Sequence, residues 1–136
     1  MRLVLDTNVV IAAFLWDGIP RLLLTASRER RVDLFTSGAL VDELTSVLER
    51  RKFETKIAAS GLTIDSIVDR YAELAKMVRP EPTRRIAADP DDDVVPGTAL
   101  AAKADLIVSG DSHLLILKTY QSISIVTVAV ALERIG

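Results

Sequence analysis

Two aspartates follow short apolar runs that are typical of buried strands. Asp6 comes directly after Leu3-Val4-Leu5, and Asp111 lies three positions after the end of Leu106-Ile107-Val108. Aliphatic runs of this kind predict strands covered on both faces, as in parallel sheets. Parallel strands end at a common edge, where the ligands of open α/β sheets bind. Asp6 and Asp111 are therefore candidate site residues, although Asp6 or Thr7 could simply cap the following helix.

A denser group of acids precedes a predicted helix. Residues 89–93 read Asp-Pro-Asp-Asp-Asp, which places four carboxylates within five positions. Capping a helix needs only one or two of them. Unit charges about 4 Å apart repel by about 4 kcal/mol at an effective dielectric near 20, and a divalent cation removes that cost. An acid set without thiolates suits Mg²⁺ or Mn²⁺. The number of acids beyond those needed for capping therefore predicts a metal site in which Asp92 or Asp93 takes part.

Helical phase selects one further acid. Leu40, Val41, Leu44, Val47 and Leu48 form one apolar stripe. At 100° per residue Asp42 points roughly 170° from the centre of that stripe, whereas Glu43 points only about 90° away. Asp42 is expected to face water, and Glu43 stands at the margin of the buried face, where a long side chain could reach a site above the sheet. A partly exposed surface glutamate is the alternative.

Composition limits the classes of protein and site. The chain has 136 residues, 49% of them hydrophobic, and we expect one domain over residues 1–136. It has no cysteine and a single histidine, which excludes thiolate sites and argues against a histidine-built zinc site. The net charge of -2 argues against coating nucleic acid by a bulk positive field, but not against local contacts with phosphates. Without a signal-like start or a spanning apolar run, we expect a soluble, cytoplasmic protein.

Alternating strand and helix patterns indicate how these acids are positioned. The predicted strands are residues 3–5, 32–35, 106–108 and 123–126. Eight helices are predicted, and they begin after Asp6, at Pro20, near Ser37, at Lys52, after Thr63, after the acidic segment, at Ser112 and after Thr127. The helix near Ser37 is predicted to extend to about Arg51. The helix at Lys52 is predicted to end at Gly61, and the helix after Thr63 to extend to Val78. This order predicts an α/β three-layer sandwich with a central, mainly parallel sheet of four to five strands flanked by helices.

The ordered set of motifs resembles the PIN-domain family, in particular its toxin-like members related to VapC ribonucleases. The residues concerned are Leu5-Asp6-Thr7-Asn8, Glu43, the acidic segment at 89–93 and Val108-Ser109-Gly110-Asp111. The resemblance implies a parallel sheet between helices and a ribonuclease that uses Mg²⁺ or Mn²⁺ at these acids. It also implies that Asn8 and Ser109 support the acids. Such relatives often form homodimers and pair with a small antitoxin protein.

Two positions depart from the family pattern. Val94-Val95-Pro96-Gly97-Thr98 stands where relatives carry an apolar helical run. Proline is tolerated only in the first turn of a helix and glycine costs ~1 kcal/mol relative to alanine, so we expect this helix to start late or to be distorted. His113 stands where relatives often have another acid, and it is given no metal role.

Together these features predict a metal-dependent endoribonuclease. Asp6, Glu43, Asp111 and either Asp92 or Asp93 would hold one or two ions, and water would be the nucleophile. Candidate phosphate contacts are Arg84, Arg85 and residues 50–52.

Two alternatives lead to other functions. An aspartyl-phosphate mechanism is disfavoured because Asn8 and Thr127 stand where such proteins need an acid and a lysine. A catalytically silent module that binds RNA or a partner would not need a nearly intact acid set, but the Pro96-Gly97 departure keeps this alternative open.

Overall fold

The computed structural model describes residues 1–82 and 94–136 as an alternation of strands and helices. The strands are β1 (Arg2–Leu5), β2 (Asp33–Thr36), β3 (Lys76–Met77), β4 (Leu106–Val108), β5 (Thr119–Tyr120) and β6 (Ile123–Val126). The helices are α1 (Thr7–Leu15), α2 (Ile19–Arg28), α3 (Gly38–Leu48), α4 (Glu54–Ser60), α5 (Ile64–Leu74), α6 (Val94–Ala102), α7 (Ser112–Leu115) and α8 (Val128–Ile135), with a 3₁₀ turn at Arg51–Phe53 before α4. The acidic segment, including Asp92 and Asp93, lies outside the described residues.

One twisted sheet holds these strands in the order β3-β2-β1-β4-β6-β5. All neighbouring strands pair in parallel except β5, which runs antiparallel to β6. β1 is central, and Leu5 pairs with Val108 of β4. The residues that follow these two strands therefore emerge side by side at the carboxyl edge of the sheet.

The two faces of the sheet bury separate apolar cores. Leu3 and Leu5 of β1 pack on one face with side chains from α1, α2, α3, α5 and α8. Val4, between them, packs on the other face with Val95 and Ala99 of α6. The alternation follows from the two-residue period of a strand, and it makes the molecule the predicted three-layer sandwich.

Most predicted helix boundaries are confirmed by cap geometry. Pro20 lies in the first turn of α2, and the Ser37 side chain accepts a hydrogen bond from the Leu40 amide at the start of α3. Thr63 forms a capping box with Ser66. Gly61 ends α4 with a φ of 75°, the left-handed region that favours glycine.

Two short strands at the edges were not predicted. The prediction that the helix after Thr63 extends to Val78 is wrong, because α5 ends at Leu74 and residues 76–77 pair with β2 instead. Both β3 residues are exposed, so this segment lacks the alternation of apolar and polar residues that predicts a strand. The β5–β6 turn consists of Gln121 and Ser122, both with positive φ, and lacks the usual Asn-Gly signal.

The helix after the acidic segment contains both residues that were expected to disturb it. α6 is continuous from Val94, with Pro96 as its third residue and Gly97 as its fourth. Proline is tolerated in a first turn because the amide it lacks has no partner within the helix there. The expected late start or distortion is therefore not found in the described part of the helix.

No helix within residues 1–82 or 94–136 is by itself long and apolar enough to cross a membrane. The bent pair of α1 and α2, with 92° between them, meets that test together by length and composition only.

Candidate functional site

Asp6 is held at the carboxyl edge by both oxygens of its side chain. It is the N-cap of α1, where its Oδ1 accepts a hydrogen bond of 2.8 Å from the Thr7 amide. Its Oδ2 accepts a second bond of 2.8 Å from the Ser109 hydroxyl. The pairing of β1 with β4 continues here, since the Asp6 amide donates to the Val108 carbonyl at 2.9 Å. Two strand ends therefore fix the orientation of this half-buried carboxylate.

Ser109 joins Asp6 to the second predicted aspartate. Its side chain is fully buried, and its Oγ also accepts a bond of 2.9 Å from the Asp111 amide. Asp111 is the N-cap of the short helix α7, where its Oδ1 accepts from the His113 amide at 2.9 Å. Ser109 thus contacts Asp6, and its predicted role in supporting a metal ligand stays a prediction.

Glu43 reaches the same group of side chains through Thr7. The Thr7 hydroxyl donates a hydrogen bond to Glu43 Oε2, while the Thr7 amide donates to Asp6. Thr7 is buried at 6% exposure, whereas Glu43 and Asp42 are both exposed. Thr7, at the start of α1, therefore links Asp6 at the end of β1 to Glu43 of α3. Sequence reasoning considered Thr7 only as a helix cap and missed this link.

The remaining predicted residues have less support from the described contacts. Asn8 is exposed and has no side-chain hydrogen bond among the described residues, so its supporting role stays a prediction. His113 is exposed and takes part through its backbone amide. Asp92 and Asp93 fall outside the described ranges, and their place relative to Asp6 stays a prediction.

A pair of buried hydroxyls brings the start of α6 next to α3. Thr98 Oγ1 lies 2.9 Å from Ser37 Oγ and 2.8 Å from the Val94 carbonyl, and both hydroxyl side chains are fully buried. This contact therefore places the start of α6 beside the start of α3, the helix that carries Glu43. The sequence contained no signal for the pair, since each hydroxyl also fits an ordinary helix position.

The donor chemistry of the site fits a hard divalent cation, but the described set is incomplete. Asp6, Glu43 and Asp111 offer oxygen donors of the kind that Mg²⁺ and Mn²⁺ prefer. Across residues 1–82 and 94–136, no group of three or more acidic or histidine side chains lies close enough to hold a metal ion. A cation here would need further oxygen donors, from water, substrate or the acidic segment.

An open cavity of about 470 Å³ begins at Glu43. It lies along the exposed face of α3 and ends against the start of α6. Its lining residues are Ala39, Asp42, Glu43, Ser46, Val47, Arg50 and Val94. Among the described lining residues, Arg50 is the cation next to Glu43, and most of the others are small or apolar.

A family model described as PIN domain matches residues 2–113. The chain belongs to the PIN-domain family. The match includes every predicted site residue from Asp6 to Asp111 and ends before β5, β6 and α8. PIN domains have a nuclease-type fold and are commonly nucleases that bind Mg²⁺ or Mn²⁺. No curated protein and no solved structure matches the chain.

We expect Ser109→Ala to lower the stability of the protein. The change removes two hydrogen bonds from a fully buried position, which should cost about 1–3 kcal/mol and several degrees of melting temperature. Ser46→Ala, on the exposed face of α3, is the matched control and should stay within about 0.5 kcal/mol of wild type. Equal melting temperatures for the two variants would contradict the bridging role of Ser109.

Proposed function

We propose that this chain is a single-domain, metal-dependent endoribonuclease that hydrolyses RNA phosphodiester bonds with Mg²⁺ or Mn²⁺. The observation that carries the proposal is the Asp6 carboxylate, held by the Thr7 amide and the Ser109 hydroxyl while Thr7 also holds Glu43. Carboxylates oriented in this way at the edge where α/β folds bind ligands, in a PIN domain, support a nuclease more than a structural role.

The proposed ligands are Asp6, Glu43, Asp111 and one of Asp92 and Asp93. A bound divalent ion would lower the pKa of a water molecule and offset the charge of the scissile phosphate. Thr7 and Ser109 would orient the carboxylates of Glu43 and Asp6, which is the usual part of neighbours that surround metal ligands. We propose the same part for Asn8.

The cavity beside Glu43 is the proposed path of the RNA. Glu43 of α3 and Arg50, two residues beyond the end of that helix, both line this cavity. Arg50 is therefore placed to contact a phosphate beside the scissile one. Such local contact suits a chain whose net charge is -2. Arg84 and Arg85, the other predicted contacts, lie outside the described residues.

The finer parts of the proposal rest on the likeness to toxin-like PIN proteins. We propose that the nuclease is the toxin of a toxin-antitoxin pair, that a small antitoxin protein inhibits it, and that it forms a homodimer. The second candidate function is a catalytically silent module that binds RNA or a protein partner. It is favoured by the lack of a closed set of three metal-binding side chains among the described residues.

Asp6→Asn should abolish RNA cleavage and leave the fold intact. Asparagine keeps an oxygen for the Thr7 amide and presents an amide group to the Ser109 hydroxyl, but it loses the charge that holds the cation. Cleavage of a single-stranded RNA with Mg²⁺ or Mn²⁺, and with EDTA as control, should fall by orders of magnitude, while the circular dichroism spectrum is retained. Activity within roughly threefold of wild type would overturn the assignment of Asp6.

Neighbouring acids on α3 provide a test of helix geometry. Glu43→Gln should impair cleavage, because it removes the charge of a proposed metal ligand that the Thr7 hydroxyl contacts. Asp42→Asn, one position earlier and equally exposed, should leave cleavage within about twofold. Equal loss of activity in the two variants would show that Thr7 does not select the functional acid.

Metal binding should appear directly as a gain in stability. Ligands that bind only the folded state stabilise it by about 2.7 kcal/mol at a hundredfold excess over the dissociation constant. Mg²⁺ or Mn²⁺ should therefore raise the melting temperature by several degrees, and monovalent salt at matched ionic strength should do much less.

The same thermal series identifies the ligand in the acidic segment. Replacing a ligand should raise the melting temperature without metal and shrink the metal-induced shift, because its charge both repels the other acids and binds the ion. We expect this of Asp92→Asn. Asp93 directly precedes α6, so Asp93→Asn should cost ~1 kcal/mol or less through the cap and keep the metal shift. A wild-type protein whose stability does not respond to divalent ions would contradict the metal site.

A further inference from the structure

A second cavity lies at the opposite end of α1 from Asp6. Its volume is about 460 Å³, and the last turn of α1, with Phe14 and Leu15, forms part of its wall. The other described residues of the wall come from the turn between α1 and α2, from α2, α4 and α5, and from the turn after α4. Since α1 has nine residues, about 13 Å of helix separates this cavity from the linked acids. It is therefore a different place on the molecule from the proposed nuclease site.

Four cations from three helices converge on this cavity. Arg21 and Arg28 come from α2, Lys56 from α4 and Arg70 from α5, and Asp17 is the one acid among the described lining residues. The lining thus carries a formal charge of +3, four cations against one acid, in a chain whose net charge is -2. Positive charge is concentrated here although the protein as a whole is acidic.

Two of these cations are used by the fold itself. Arg21 pairs with Asp17 at 2.5 Å, and its Nε donates at 3.3 Å to the Ala13 carbonyl in the last turn of α1. Cations are favourable at that end of a helix, so α1 accounts for Arg21. Lys56 lies with its Nζ 5.1 Å from the centre of the Trp16 ring, a cation–π contact.

The other two cations have no such partner. Neither the Arg28 nor the Arg70 guanidinium forms a hydrogen bond or an ion pair with any residue in the described ranges. Arg28 is in the last turn of α2, where the helix dipole alone explains a cation. Arg70 lies in the interior of α5, where the dipole does not explain it. Two guanidiniums, each with free donors, therefore line an open cavity with an apolar wall.

We propose that this cavity binds a phosphate-bearing ligand, namely the nucleotide unit of a free nucleotide or of an RNA chain. Guanidinium groups match phosphate oxygens in charge and in paired donor geometry. Among the apolar lining residues, Ala59 is exposed and Leu62 is partly exposed, so these two offer surface to the base or sugar, whereas Phe14 and Leu24 are buried. The volume lies in the range of pockets that enclose small organic ligands. Arg28 and Arg70 are the residues that bind the phosphate.

Binding of defined probes to the full chain tests the proposal. Isothermal titration with EDTA present, so that the acid site is not loaded with metal, would compare AMP, adenosine, inorganic phosphate and a short single-stranded RNA. We expect AMP or the RNA to bind, and adenosine to bind at least about tenfold more weakly than AMP, because it lacks the charge that the guanidiniums recognise. If AMP and RNA both bind, the ligand is any nucleotide; if RNA alone binds, the ligand is a unit within a chain.

Variants assign the binding to this cavity. The double variant Arg28→Gln with Arg70→Gln should weaken the binding by at least about tenfold, whereas Arg134→Gln, exposed on α8 and outside the cavity lining, should leave it unchanged. Should the double variant unfold, the single Arg70→Gln variant and the amide NMR shifts of Leu24 and Ala59 on titration of wild type decide the matter.

The proposal is overturned if neither AMP nor RNA binds. It is equally overturned if the arginine variants bind as tightly as Arg134→Gln does. The same holds if titration of wild type does not change the amide NMR shifts of Leu24 and Ala59. These measurements involve no cleavage and no divalent ion. Failure here would therefore leave the nuclease proposal standing, and failure of cleavage would leave this one standing.

Discussion

The parallel pairing of β1 with β4 is the constraint on which the candidate site depends. Register between Leu5 and Val108 brings residues 6 and 109 together although they are 103 positions apart in the chain. Both strands are buried in the centre of the sheet, so the hydrophobic effect that assembles the sandwich also fixes this register. A shift of one residue would turn each side chain to the opposite face and separate Asp6 from Ser109.

Two neutral hydroxyls, those of Thr7 and Ser109, donate hydrogen bonds to the carboxylates of Glu43 and Asp6. Ser109 and Thr7 each contact two partners, and among the described residues no arginine or lysine forms an ion pair with Glu43 or Asp111. A hydroxyl orients a carboxylate without neutralising it, so the charge is kept for a ligand. An arginine in the same position would offset the charge and compete with a cation. The contact between Thr7 and Glu43 is therefore compatible with a cation at Glu43.

α1 separates two regions of opposite charge. Its N-terminus carries Asp6, and its C-terminal carbonyls contact Arg21 at the edge of the cationic cavity. Each charge has the sign that the helix dipole favours, so both ends are consistent with local stability. The helix dipole does not explain why residues from other elements lie at the two ends of α1. Glu43 and Ser109 lie at the Asp6 end, and Arg28 and Arg70 line the cavity at the other end.

The sequence by itself determined the alternation of strands and helices, most caps, and the placement of Asp6 and Asp111 after strands, because these follow from local periodicity and from preferences of single residues. The helical phase of α3 selected Glu43 over Asp42, although both are exposed. Only the tertiary structure decided that Thr7 contacts Glu43, that Ser37 and Thr98 join α3 to α6, and that β3 and β5 extend the sheet. Those contacts join residues far apart in the chain, and hydrophobic periodicity records which face of an element is buried but not which partner covers it.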